Sequence, residues 1–179
     1  AVLTSSGAED TFTNVPLTEE GSTDRELPEV TPIPIVHDSN DFDPLQVNQV
    51  KPLFNGDAAT FVDRDDAVSE LSPIVDYLLE HPDYTVILAG TTATAGTNEQ
   101  CKELSLRRAE AVRQLMIDMG TSETQIKHVI GLGYDHEFHV EDLNADGSLN
   151  EKNAPENRAV LVIGTSTEAA QILEKYYIE

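Results

Sequence analysis

Residues 84–120 read YTVILAGTTATAGTNEQCKELSLRRAEAVRQLMIDMG, and this stretch predicts a strand, a loop and a long helix in succession. Its first seven residues form a mostly apolar run with β-branched side chains, which is typical of a buried strand. A loop of Thr, Ala and Gly follows as far as Thr97. Apolar side chains then recur at helical spacing until Gly120, a residue type that commonly ends helices, so the pattern predicts a helix over 98–119.

One charged side chain lies on the apolar stripe of this helix. The apolar members of the stripe are Cys101, Leu104, Val112, Leu115 and Met119. Arg108 follows Leu104 by four residues and precedes Val112 by four, so it points to the same side. Because an unpaired buried charge is costly, Arg108 is expected to meet an anion, either a ligand or an internal carboxylate. The alternative is that its stem packs on the core while its head reaches solvent.

The composition describes an acidic chain that is long enough for one ordinary domain. Its 179 residues include 33 Asp and Glu against 11 Lys and Arg, for a formal net charge of -22. Such a charge makes nucleic acid and anionic membrane surfaces poor partners. No run of eighteen apolar residues occurs, so we expect no membrane span and no direct membrane contact. Cys101 is the single cysteine and is expected to pack as a small hydrophobe.

The composition changes at about residue 44. Residues 1–44 contain ten Asp and Glu, one Arg and five of the nine prolines, without a sustained helical or alternating pattern. We interpret them as an acidic, Pro-rich and largely irregular spacer. Its apolar part, residues 29–36, is expected to add a short edge strand or to dock on the domain. Residues 45–179 are predicted to form the folded domain, with a helix at its carboxyl end.

Strand and helix patterns alternate through this domain. The predicted strands are 47–54, 60–62, 84–90, 126–132 and 158–163. A helix is predicted over 68–79, where Pro73 is expected to kink it or to start a new helix. Ser166 or Thr167 can cap a last helix through Tyr177. The order βαβαββ with a trailing helix predicts an α+β fold, a two-layer sandwich in which helices cover one face of a mixed sheet.

The residues from Gly90 onward resemble the OmpA-like domain, which is also found in MotB-type stators and Pal-type lipoproteins. The family pattern is G-H-T-D-x-x-G-x-x-x-x-N-x-x-L-S-x-x-R-A-x-x-V, which ends on the helix, and N-R-R-V at the last strand. The matching residues here are Gly90, Thr92, Gly96, Leu104, Ser105, Arg108, Ala109, Val112, Asn157, Arg158 and Val160. The likeness covers about residues 54–163 and implies the OmpA-like fold.

The resemblance also implies a function, namely noncovalent peptidoglycan binding in the bacterial cell envelope, outside the cytoplasm. In the family, the motif Asp and the helix Arg hold the two ends of the diaminopimelate of the stem peptide. Arg108 matches that Arg and would anchor a carboxylate. The implied ligand-binding residues are Arg108, Thr92, Ala93, Thr94, Asn157 and Arg158. Other envelope proteins are further candidate partners.

Three positions depart from the family pattern. Ala93 stands in place of the Asp, Cys101 in place of an Asn, and Ala159 in place of the second Arg of the last motif. Loss of the Asp removes a charge-assisted hydrogen bond worth about 1.5–3 kcal/mol. Uncompensated, this weakens diaminopimelate binding on the order of tenfold to a hundredfold. Thr92 and Thr94 offer hydroxyl groups to an amide or a sugar instead, as in a modified peptidoglycan.

Two other classes of function stay open. One is an OmpA-like scaffold or protein-interaction domain that has lost peptidoglycan binding, with Arg108 paired internally. The other is an enzyme, and it is disfavoured because the chain has no nucleophile elbow, phosphate-binding loop or zinc signature. Ser105 lies beside the Arg108 face, but the helix provides it with no base. We therefore expect no catalytic activity.

The loop 142–153 resembles the calcium loops of EF-hands and dockerins. Oxygen-bearing side chains occupy positions one, three, five, nine and twelve, and Gly147 at position six permits the sharp turn. The candidate calcium ligands are Asp142, Asn144, Asp146, Ser148 through its carbonyl, Asn150 and Asn153. Because Asn153 is not a bidentate carboxylate, the predicted affinity is weak, and an acidic surface turn is the alternative. His136 and His139 also suggest a metal, although histidines in polar loops are more often solvated than ligands.

Overall fold

The computed structural model describes the strand at Val36–His37 and residues 42–55 and 58–177. These residues belong to the compact unit Ile33–Glu179. Most of the predicted spacer, and residues 56–57 between the predicted strands 47–54 and 60–62, lie outside the described residues. Within the described ranges, no helix has the length and apolar character that crossing a membrane requires.

Strands and helices alternate along the described chain. In order they are β1 (Val36–His37), β2 (Val47–Val50), α1 (Arg64–Glu80), β3 (Val86–Thr91), α2 (Asn98–Asp118), β4 (Ile126–Gly133), β5 (Val160–Gly164) and α3 (Glu168–Leu173). The strands form one mixed sheet in the order β1-β2-β5-β3-β4. β1 with β2 and β3 with β4 are parallel, whereas β5 runs antiparallel to both of its neighbours. The predicted α+β class and mixed sheet are confirmed.

Helix α2 begins and ends where its sequence signals predict. Thr97 caps it through a capping box with Gln100. Gly120 follows the helix with a φ of 118°, a left-handed conformation that favours glycine. Two glycines then let α2 approach the sheet. A Cβ on Gly90 would lie 2.0 Å from the Ser105 carbonyl oxygen, and one on Gly131 would lie 2.2 Å from that of Lys102.

Both faces of the sheet are covered. Helices α1 and α2 pack on one face, where the largest fully buried side chains include Leu71, Leu78, Leu88, Val112 and Met116. Helix α3 packs on the opposite face, and its partners there include Ile87, Leu132, Phe138, Leu161 and Ile163. Helices α1 and α2 thus form the layer of helices that the sequence predicts on one face of the sheet. The last helix, whose packing the sequence left open, covers the other side.

One local prediction is wrong, and one of the two alternatives predicted for Pro73 is excluded. Residues 60–62 form no strand, because only one isolated bridge joins Phe61 to Phe54, whose ring stacks on it at 5.1 Å. Pro73 does not start a new helix, because α1 is continuous through it with a single buried face that includes Leu71 and Ile74. The expected edge strand in the spacer is present as β1, although it lies at Val36–His37.

The sheet brings two distant parts of the sequence together. β3 and β5 pair antiparallel with Gly90 opposite Val160, so the carboxyl end of β3 meets the amino end of β5. The loop after Thr91 therefore lies beside residues 157–159, and the Thr91 hydroxyl donates to the Asn157 carbonyl at 2.7 Å. The two motif segments that are 66 residues apart in sequence thus form one end of the sheet.

Candidate binding groove

Arg108 is buried on the inner face of α2, with only 9% of the residue exposed. Its Nε donates to the Ala58 carbonyl at 2.9 Å, and its guanidinium carbon lies 4.9 Å from the centre of the Phe54 ring. An aromatic face stabilises a cation held above it. The expected burial of Arg108 on the stripe is confirmed, although Leu104 and Met119 are only half-buried.

Arg108 lies on the wall of an open groove of about 1000 Å³. The groove also contains Thr92, Ala93 and Arg158 from the predicted ligand-binding set. Other lining residues, which do not match the family motif, are Lys51, Phe54, Glu103, Arg107 and Pro155. The groove therefore joins the loop after β3, the start of α2 and the segments before α1 and β5.

Basic residues are concentrated at the groove, and one of them, Lys51, pairs with Glu156 at 3.3 Å. Four of the eleven basic residues line it, namely Lys51, Arg107, Arg108 and Arg158. Glu103 is its one acidic member among the described residues, out of 33 acidic residues in the chain. Arg107 and Arg158 are exposed. A low-dielectric concavity with several cations concentrates anions.

The two threonines next to Ala93 have different surroundings. The Thr92 backbone N–H donates to the Gly133 carbonyl at 2.9 Å, and its buried hydroxyl has no hydrogen-bond partner among the described residues. Thr92 and Ala93 are 4% and 5% exposed and lie on the groove. Thr94, by contrast, donates its backbone N–H to Asp142 Oδ2 at 2.9 Å and does not line the groove.

Asp142 and Asn157 form a buried clasp between the long loop and the end of β3. The Asn157 side-chain amide donates to Asp142 Oδ2 at 2.9 Å and to the Val140 carbonyl at 2.7 Å, and its oxygen accepts from the Val140 N–H. Burial raises the pKa of Asp142, but hydrogen bonds from Thr94 and Asn157 outweigh it, so the pKa lies below its usual value. Asn157, predicted to touch ligand, here holds the loop.

The other predicted calcium ligands form a short hairpin, closed by a bridge between Leu143 and Leu149. Their oxygen atoms accept hydrogen bonds within the loop. The Ser148 carbonyl accepts from the Asn144 N–H at 2.7 Å, Asn144 Oδ1 accepts from Asn150 Nδ2 at 3.0 Å, and Asp146 Oδ1 accepts from the Ser148 N–H. No group of three His, Cys, Asp or Glu able to hold a metal occurs in the described part of the chain. The calcium site stays a prediction.

His136 and His139 are packed into the protein. Phe138 N–H donates to His136 Nδ1 at 3.1 Å, and burial together with the neighbouring His139 lowers the pKa of His136 to about 4. His139 Nε2 lies 3.4 Å from Asp142 Oδ1. Glu137, between them, hydrogen bonds to Lys175 and Tyr176 in the carboxy-terminal segment. The contacts of His136 with Phe138 and of His139 with Asp142 thus lie within the long loop itself.

The comparisons with known proteins identify a family and similar folds. A model of the OmpA family matches residues 53–153. The periplasmic domain of Helicobacter pylori MotB is 16% identical, with a TM-score of 0.51 over 73% of this chain and 92% of that one.

Two further structures are similar at lower TM-scores. The peptidoglycan-associated lipoprotein of Burkholderia pseudomallei is 24% identical, with a TM-score of 0.49 over 65% of this chain and 88% of that one. The OmpA-like domain of FopA1 from Francisella tularensis is 22% identical, with a TM-score of 0.46 over 64% and 68%. No curated protein matches the chain.

Proposed function

This chain belongs to the OmpA family, and we propose that it is a non-catalytic module of the bacterial cell envelope that binds peptidoglycan in its cationic groove. One observation carries the proposal: a chain with a net charge of -22 gathers four of its eleven basic residues around one open concavity. The stem peptide of peptidoglycan presents carboxylates, which arginine binds well.

The exposed and buried arginines would have different roles. Arg158 and Arg107 are exposed at the groove and can reach a ligand carboxylate without breaking an ion pair among the described residues. Arg108 is held in place by the Ala58 carbonyl and the Phe54 ring, so its role would be to shape the wall of the groove. Recognition would be noncovalent, with no turnover. An extracytoplasmic location, and contacts with other envelope proteins, follow from the family and belong to the same proposal.

The test is a calorimetric titration of a diaminopimelate-containing muropeptide into the full chain and into Arg158→Gln. We expect binding by the original chain, and affinity on the order of tenfold lower in the variant, because one charge-assisted hydrogen bond is lost. Arg113→Gln is the matched control, since Arg113 lies on α2 outside the groove and pairs with Glu123. No heat from the folded original chain would contradict the proposal.

A specific observation favours a second function, that of a scaffold or protein-interaction domain, with calcium in the long loop as a proposed stabiliser. Arg108 Nε already donates to the Ala58 carbonyl of the protein itself. Asp142 Oδ2 already accepts from the Thr94 N–H and from the Asn157 side-chain amide. A scaffold of this kind would remain folded and give no heat with muropeptide. The same titration therefore decides between the two functions.

A further inference from the structure

Two walls of the groove lie just beyond the point where β3 and β5 stop pairing. Residues of the loop 92–96 line one wall, and residues of the segment 155–158 line the other. The last backbone bond between the two strands runs from the Thr91 N–H to the Ala159 carbonyl, at 2.9 Å. Among the described residues, no hydrogen bond joins the loop directly to the segment. Another contact must therefore fix the distance between the two walls.

One carboxylate oxygen of the long loop makes that contact. Asp142 Oδ2 accepts from the Thr94 N–H and from the Asn157 side-chain amide, both at 2.9 Å. Thr94 lies between two lining residues of the loop 92–96, and Asn157 immediately precedes Arg158. Asp142 itself is completely buried and does not line the groove. It therefore joins the two walls without being open to a ligand.

The two ends of this bridge are held to different degrees. Asn157 is fixed at several further points: its side-chain amide donates to the Val140 carbonyl at 2.7 Å, its side-chain oxygen accepts from the Val140 N–H at 2.9 Å, and its own carbonyl accepts from the Thr91 hydroxyl at 2.7 Å. The Thr94 N–H, by contrast, has Asp142 as its one acceptor within the described part of the chain. The position of the loop relative to Asn157 therefore depends on Asp142.

From this bridge, and resting on the proposed function, we infer that Asp142 is a positioning residue of the groove. It holds the loop that contains Ala93 at a fixed distance from Arg158, so the affinity for an anionic stem peptide depends on it although it does not touch the ligand. A site that is already held in its binding shape loses less affinity to ordering when the ligand arrives. Ala93 has no polar side chain with which to fix the loop, and a carboxylate from the long loop fixes it instead.

The experiment is a calorimetric titration of the diaminopimelate-containing muropeptide into the full chain, Asp142→Asn and Asp142→Ala. Asparagine keeps a side-chain oxygen that can accept from both donors, so Asp142→Asn should bind with nearly the original affinity. Alanine has no acceptor, so Asp142→Ala should bind on the order of tenfold more weakly. Equal affinity of all three proteins, or equal losses in both variants, overturns this inference while the proposed function stands. No binding by the folded original chain overturns both.

A matched control separates positioning from a general loss of stability. Gln125 is also buried, and its side-chain amide donates to three backbone carbonyls, but it lies next to Ile126, which pairs with the first residue of β3 at the end away from the groove. Gln125→Ala should therefore lose stability and keep the original affinity. Equal weakening of muropeptide binding in Gln125→Ala and Asp142→Ala would overturn the assigned role of Asp142.

Amide hydrogen exchange tests the bridge itself. The Thr94 N–H should exchange faster in Asp142→Ala than in Asp142→Asn, because only the asparagine retains an acceptor for it. If thermal unfolding shows that Asp142→Ala does not fold, Asp142→Ser takes its place, since its shorter side chain cannot reach both donors. Asp142→Ser should also bind the muropeptide more weakly than Asp142→Asn does, and equal affinities would overturn the inference.

Discussion

At the scale of single residues, two neighbouring arginines of α2 are expected to have different roles, Arg108 in packing and Arg107 in ligand contact. Arg108 is buried against Phe54 and bonded to Ala58, whereas Arg107 is exposed. We expect Arg108→Ala to lower the free energy of unfolding by roughly 2–4 kcal/mol, because it removes a buried side chain and leaves a carbonyl without its donor. Arg107→Ala should change it by less than about 0.5 kcal/mol. Urea unfolding of both variants checks this, and equal losses would contradict it.

A second prediction at this scale concerns pH and His136. Its pKa falls from 6.5 to about 4 on folding, chiefly because of burial. Between these values the unfolded chain binds more protons than the folded one, so stability is full above pH 6.5 and is lost as the pH falls toward 4. The loss reaches on the order of 3 kcal/mol, at about 1.4 kcal/mol per pH unit.

Urea unfolding at pH 7, 6 and 5 measures this dependence. His136→Gln should lose less stability on acidification than the original chain does. His128→Gln is the control, since His128 is exposed on β4 and stacks on Tyr177. If His136→Gln and the original chain show the same slope, His136 is not the group that titrates.

At the scale of elements, the contact between α2 and the sheet depends on glycine. A side chain at Gly90 would collide with the Ser105 backbone, which cannot yield without moving the helix. We expect Gly90→Ala to lower the free energy of unfolding by several kcal/mol, more than the roughly 1–3 kcal/mol that is usual for overpacking. Gly147→Ala is the comparison, because a Cβ there meets nothing within 4 Å and costs only the strain of a φ of 87°. Similar melting temperatures for the two variants would rule out this account.

The hairpin of the long loop is the element on which the calcium prediction depends. If calcium binds it weakly, near millimolar, then 10 mM calcium should raise the free energy of unfolding by about 1.4 kcal/mol. Asp146→Asn should abolish that rise, and magnesium should not reproduce it. Thermal unfolding with calcium or with a chelator makes the measurement, and identical melting temperatures would leave the loop as a hydrogen-bonded surface turn.

The elements also show what the sequence could predict. Local patterns were sufficient for α2, since its cap at Thr97, its apolar stripe and its end at Gly120 all lie in one segment. The strand predicted at residues 60–62 failed because its pairing stops at one bridge between Phe61 and Phe54, whose rings stack on each other. Tertiary packing overrode propensity there.

The candidate site was predictable only where its motif is local. Thr92, Ala93 and Arg108 could be placed by spacing along one strand, loop and helix. Phe54 and Lys51 line the same groove, but no periodicity connects them to α2 in sequence. Asp142 is a predicted calcium ligand because its neighbours in sequence bear oxygen atoms, and that local pattern could not predict its hydrogen bonds to Thr94 and Asn157.

At the scale of the whole molecule, the net charge of -22 is opposite in sign to the basic residues that line the groove. An anionic muropeptide is repelled at long range by the acidic chain and attracted at short range by the arginines. The Debye length falls from about 30 Å at 0.01 M salt to about 8 Å at 0.15 M, so salt screens the repulsion before it screens the contacts. We expect the association rate constant to rise over this range. Stopped-flow mixing measures it, and a muropeptide with amidated carboxylates should show no change; a falling rate for the anionic probe would contradict the argument.

The hairpin closed by Leu143 and Leu149 offers a practical use. A Cβ added at Gly147, in the turn of the hairpin, would meet no atom within 4 Å. Asp142, at the base of the hairpin, accepts hydrogen bonds from Thr94 and Asn157. Exposed tips with a fixed base are where inserted segments are best tolerated. A dye or an epitope grafted at this tip would leave the sheet intact and remain tied, through the clasp, to the loop that borders the groove. The tip of the hairpin is therefore a suitable attachment site for a fluorescent reporter of ligand binding.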